Sequence, residues 1–179
     1  MIRGGKGGSR TLTGLEFEKR VDLRAQFDSL PGYEVRGNDL FFNKKIVARV
    51  YKKEEIYSKL LKAFRIDWKN YISSKLLPDE TIFIRKNNTI YIIEMKFQHT
   101  SGSVDEKLQT CDFKKKQYIK LFSKTKIRVE YTYILSDWFK HKRYSDVMKY
   151  IESVGCSYFF EELPFDFLGL PLPHKKNSL

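Results

Sequence analysis

The sequence predicts an α/β domain, with a central mixed β-sheet of about five strands flanked by helices. Three observations predict it. Apolar runs of strand length alternate with amphipathic stretches of helical period. Gly, Asn and Pro turn signals separate them. Capping patterns, Thr13-Gly14-Leu15-Glu16 and Ser103-Val104-Asp105-Glu106, open two of the helical stretches. The 179 residues fit one domain, and a hydrophobic content of 41% with 14 Phe and 11 Tyr supplies its core, which excludes global disorder.

The elements follow in order. Residues 1–12 read as a basic, Gly-rich arm: either a frayed terminus or a loop that meets a phosphate backbone. Leu15, Val21, Leu23 and Phe27 then recur at helical spacing, so a helix is expected from Gly14 to Asp28, ended by Pro31-Gly32. Tyr33–Arg36, Leu40–Phe42 and Ile46–Tyr51 are short strand-like runs, parted by turn signals at Gly37-Asn38 and Asn43-Lys44. Ile56, Leu60, Ala63, Phe64 and Tyr71 predict a long helix over Lys53–Ser74. Glu80–Arg85 and Thr89–Phe97 form a hairpin about Asn87-Asn88, residue types that tolerate left-handed turns. A helix from Ser103 to Leu121, a buried strand Val129–Leu135, a helix from Ser145 closed by Gly155, and a last strand Ser157–Phe160 complete the body. The tail, residues 163–179, is Pro-rich and apolar at its start, and is expected to lie extended across the body.

Composition narrows the function classes. No apolar run approaches the ~20 residues of a membrane span, and the basic N-terminus lacks the apolar core of a signal peptide. No membrane association and a bacterial cytoplasmic location are the expectation. Lysine and arginine (34) outnumber aspartate and glutamate (22), a net charge of +12 spread along the chain. A folded, aromatic-rich domain with this excess attracts polyanions, nucleic acid first; a merely solvated lysine-rich face is the alternative. Cys111 and Cys156 are too few for a zinc site, and His99, His141 and His174 have no ligand spacing.

The chemistry concentrates between Leu77 and Phe97. Pro78-Asp79 precedes one strand, and Glu94-Met95-Lys96 ends the next. Strand side chains alternate, so Glu94 and Lys96 share a face while Met95 points away. An antiparallel hairpin brings Asp79 to the same end as Lys96. Two carboxylates close together repel, and a divalent cation relieves the repulsion. Asp79, Glu94 and the backbone carbonyl of Met95 are the candidate ligands for Mg²⁺, which takes oxygen donors and keeps waters. Lys96 is the candidate to orient a water, stabilise developing charge, or act as a base.

Pro78-Asp79 with Glu94-Met95-Lys96 resembles the motif of the PD-(D/E)XK nuclease superfamily. The segment from Lys96 to Thr110, in particular Gly102-Ser103-Val104-Asp105-Glu106-Lys107-Leu108-Gln109, is similar to type II restriction endonucleases. With the N-terminal glycines, Leu12–Glu18, Asp137-Trp138-Phe139 and Phe165–Pro171, it resembles the small, cleaving subunit of a heterodimeric type IIS restriction endonuclease. The resemblance implies a restriction-endonuclease-like fold and Mg²⁺-dependent hydrolysis of one strand of double-stranded DNA, with Asp79, Glu94 and Lys96 catalytic. It also implies a larger subunit that recognises the site and nicks the other strand. Glu16 or Glu18 would be the accessory acid of the first helix, although Glu16 serves the capping box equally well. Gln109 would be an accessory contact to phosphate or water, and Arg3, Lys6, Arg10, Lys107 and Lys114 contacts to the DNA backbone. A homodimeric restriction enzyme, a Holliday-junction resolvase and a non-catalytic nucleic-acid-binding module are the alternatives.

Overall fold

The computed structural model describes residues 14–16, 23–96 and 104–173, with only the backbone described for Gly14–Glu16, Val104 and Asp105. The order is β1 (Gly14–Glu16), α1 (Leu23–Asp28), β2 (Tyr33–Arg36), β3 (Asp39–Phe42) and β4 (Lys45–Tyr51), then a π-helical turn (Ile56–Leu61) and a 3-10 turn (Trp68–Asn70). β5 (Glu80–Ile84), β6 (Thr89–Lys96), α2 (Val104–Leu108), α3 (Cys111–Leu121) and β7 (Arg128–Leu135) follow. Two 3-10 turns (Asp137–Lys140, Lys142–Tyr144), α4 (Ser145–Ser153), β8 (Ser157–Phe160), β9 (Glu162–Pro164) and α5 (Phe165–Leu168) end the described chain.

Strands β2 to β8 form one mixed sheet in chain order. β2 through β6 pair antiparallel, while β6, β7 and β8 run parallel. The α/β class stands. The sheet has seven strands rather than about five, because the four-residue runs of the β2–β3 hairpin extend it as a meander. Alternation along β6 divides two cores. Ile90 and Ile92 face a layer holding the π-helical turn, α3 and α4. Tyr91, Ile93 and Met95 face the opposite layer of α1, β9 and α5.

Four expectations change. Gly14–Glu16 is not the start of a helix: it is a strand paired antiparallel with β9, Leu15 opposite Leu163, and the helix described is Leu23–Asp28. The long helix over 53–74 is short. Arg65 takes a left-handed φ of 55°, the Ile66 amide bonds back to the Leu61 carbonyl at 2.9 Å, and Asp67 caps the separate 3-10 turn. The helix over 103–121 is parted at Gln109–Thr110, where the Thr110 hydroxyl and the Tyr133 phenol both donate to the Lys107 carbonyl, at 2.7 and 3.3 Å. The tail is not simply extended. It forms β9 and α5, closed by Gly169 at φ 67°, and buries Leu163, Phe165, Leu168 and Leu170. The helix Ser145–Ser153 is present, with Gly155 at φ 70° just beyond it. Among the described residues no helix is long and apolar enough to cross a membrane.

Candidate active site

The β5–β6 hairpin sets the site's geometry. Its register runs from Ile84 opposite Thr89 to Glu80 opposite Ile93, leaving a turn of Arg85–Asn88 with Asn88 left-handed at φ 51°. Asp79 therefore sits just before β5, beside the end of β6, and its Oδ2 accepts the Met95 amide at 2.9 Å. β6, β7 and β8 are parallel, so this is also the carboxyl edge of three strands, the edge at which open α/β sheets bind ligands.

The approach to Asp79 is braced from below. The Tyr57 phenol donates to the Leu76 carbonyl at 2.9 Å and accepts the Leu76 amide at 2.8 Å. The Tyr118 phenol donates to the same carbonyl at 3.1 Å, and the Lys53 amide donates to the Pro78 carbonyl at 3.1 Å. Burial pushes the Tyr57 phenol up to about 12. Burial also pushes Tyr118 up, helped by the negative charges of Glu94 and Asp79. Both stay neutral and keep the proton they donate. Two buried phenols thus fix the strand entry three residues ahead of Asp79.

Glu94, Lys96 and Asp79 share the face of Ile90 and Ile92. Glu94 is nearly buried, at 6% exposure. Around Lys96 Nζ three oxygens converge: Glu94 Oε2 at 2.8 Å, the Met95 carbonyl at 3.2 Å and Asp79 Oδ2 at 3.8 Å. These are the donors the sequence selects for a metal. They form an all-oxygen cradle whose cation here is the lysine ammonium. Two carboxylates and one carbonyl suit a hard divalent ion that retains water. Among the described residues no three His, Cys, Asp or Glu side chains gather at one point.

A second lysine completes the cluster. Lys114 Nζ on α3 donates to Glu94 Oε1 at 3.1 Å, so each oxygen of Glu94 meets an ammonium. The two acids and two lysines balance. By sequence Lys114, with Lys115 and Lys116, is expected among the backbone contacts, on the helix after the active-site strand and facing its groove. The run divides by direction instead: Lys115 donates to the Gly155 carbonyl and Lys116 pairs with Asp112 at 2.7 Å. The signal was available, since Lys114 falls at i+3 from buried Cys111 and i−4 from buried Tyr118, on the inward face of α3.

The remaining candidates are scattered. Gln109 and Lys107 are exposed around the α2–α3 break. Glu16 lies in β1, its Cα opposite Glu162, so it is not an acid on a first helix. Arg3, Lys6, Arg10 and Glu18 lie outside the described residues. No protein-family model, curated protein or solved structure matches the chain.

Proposed function

We propose that the chain is a Mg²⁺-dependent DNA endonuclease that hydrolyses a phosphodiester bond in one strand. The observation that carries this reading is the convergence of Asp79, Glu94, the Met95 carbonyl and Lys96 at the carboxyl edge of the parallel strands. Asp79, Glu94 and the Met95 carbonyl would hold Mg²⁺. Bound there, the ion supplies Lewis acidity toward a phosphate oxygen and lowers the pKa of a coordinated water. Lys96 then brings an ammonium to the mouth of the cradle, where it orients water or meets charge developing on phosphate. Lys114 adds a second positive charge from the α3 side. The buried phenols brace the backbone that leads into Asp79, and Ile90 and Ile92 give the cluster an apolar floor.

One such site cuts one strand per encounter. Cleavage of both strands therefore takes a second site, and the resemblance to a small restriction subunit points to a larger, site-recognising partner. The net charge of +12 supports a polyanionic substrate.

Nicking of supercoiled plasmid by the purified chain, alone and with a candidate large subunit, tests the reading. Nicks are expected with Mg²⁺ and not with EDTA, and Lys96→Ala and Asp79→Ala should abolish them. Absence of metal-dependent nicking under every partner condition would overturn the enzyme reading. Full activity in Lys96→Ala would move the site elsewhere. Gel filtration separates a heterodimer from a homodimer that cuts unaided.

A further inference from the structure

The turn that follows β7 belongs to the same edge as the candidate site. The Ser136 amide donates to the Lys96 carbonyl at 3.1 Å, so the chain leaves the sheet directly beside the lysine. It then makes two 3-10 turns, anchored inward by Phe139 and Tyr144, whose buried rings pack 5.1 Å apart. Outward it presents four consecutive exposed residues, Lys140, His141, Lys142 and Arg143.

Their charges are not equivalent. Lys140 pairs with Asp137 at 2.5 Å and lies over the Phe160 ring. Glu161, the other acid nearby, accepts the Asp137 amide at 2.6 Å. That leaves Lys142 and Arg143 without a carboxylate partner among the described residues. Arg143 is also pre-set. Its guanidinium lies 5.4 Å from the Trp138 ring centre and 4.6 Å from that of Tyr144, and it donates to the Tyr144 hydroxyl, which also accepts the Trp138 indole N–H at 2.8 Å. A guanidinium held against two rings has lost most of its rotamer freedom while keeping outward donors. That is the arrangement suited to an oxyanion with two oxygens to offer.

We propose that the Asp137–Tyr144 turn is the surface that holds the DNA backbone beside the reacting phosphodiester, with Arg143 and Lys142 as its phosphate contacts. The inference rests on the nucleic-acid reading above and assigns it a location. A protein partner fits less well, because the exposed tip offers charge without an apolar anchor.

Fluorescence anisotropy of a labelled DNA duplex, in EDTA across a KCl series, tests it without any cleavage. Each phosphate contact contributes a slope of about −0.9 to the plot of log K against log salt. Lys142→Gln should shallow that slope by about one, and Lys142→Gln with Arg143→Gln by about two. Among the described residues Lys142 has no side-chain partner whose loss could unfold the turn. The control pair is Lys124 and Lys126, two exposed lysines before β7 at the opposite edge of the sheet; their glutamine variants should keep the wild-type slope. Equal losses from both pairs, or none from either, would overturn the assignment and leave only diffuse charge. A protein that nicks plasmid while Lys142→Gln and Arg143→Gln leave the slope unchanged refutes this surface alone. A protein that shows the slope loss but never nicks refutes the nuclease reading and keeps the surface. No binding at any salt refutes both.

Discussion

Glu80 and Glu94 are both almost fully buried, on neighbouring strands, yet they lie on opposite faces of the sheet and do different things. Glu80 faces α1. Its Oε1 accepts the Leu23 amide at 3.3 Å and lies 3.7 Å from Lys52 Nζ, so it ties the start of α1 to the sheet. Glu94 faces α3 and meets two ammoniums, both on long side chains about a fifth to a quarter exposed. Burial alone therefore does not separate an acid tied to the backbone from one whose partners can be exchanged. A backbone amide cannot leave its acceptor without local unfolding, whereas lysine side chains can turn away and give the oxygens to another cation.

The largest expected effect breaks this comparison if it fails. Glu94→Gln should slow plasmid nicking by on the order of 10²-fold or more, the usual cost of removing one preorganised electrostatic group. Glu80→Gln should nick at the wild-type rate. In urea denaturation the ranking reverses. Glu80→Leu should cost about 1–3 kcal/mol by leaving the buried Leu23 amide without its acceptor. Glu94→Gln should cost about 1 kcal/mol or less, because its two ammoniums can reach water.

Lys114→Met sharpens the role of the second lysine. It should slow nicking about tenfold, equivalent to ~1.4 kcal/mol of charge stabilisation. Lys115→Met, one residue along and aimed at the Gly155 carbonyl, should leave the rate unchanged. Equal effects from the two would return Lys114 to a general basic surface.

The smallest effect concerns a third acid, Glu55, which serves as an anchor. Burial works against its charge. Hydrogen bonds from Lys59 at 2.5 Å, from the Lys52 amide at 3.0 Å and from Arg24 outweigh it, holding the carboxyl down at about 2. A depressed acid contributes stability above its unfolded pKa, and that contribution disappears as pH falls from about 4.5 toward about 2. Glu55→Gln should therefore lose about 1 kcal/mol at neutral pH, after solvent screening, and show a flatter acid limb over that window. An unchanged limb would mean that Glu55 is not held by these bonds.

Local signals made much of this legible. Gly37, Asn43 and Asn88 mark the turns because few other residue types accept their left-handed backbone angles, and period-two alternation placed Glu94 with Lys96 and against Met95. What escaped was decided at long range. Thr13–Glu16 fits a helix cap by pattern, but its described part pairs with β9, which a local pattern cannot announce. The helix over 53–74 has correct periodicity and is ended by a left-handed Arg65, a residue type that carries no stop signal. The break at Gln109–Thr110 depends on Tyr133, a hydroxyl from another strand. Lys114 was hidden by composition: three lysines in a row look like one charged face, although a helix turns each by about 100°.

The β1–β9 ladder has a consequence in time. It joins the first described strand to the last, so its closing entropy is among the largest in the fold. Its short strands return little until the Leu163–Leu170 segment has a finished sheet face and core to pack on. Non-local contacts of this kind form late. The chain should build the hairpin and its acids first, on neighbouring segments, and join β1 to β9 afterwards. Hydrogen exchange should then find Leu15 and Leu163 opening well before Ile92 or Tyr133.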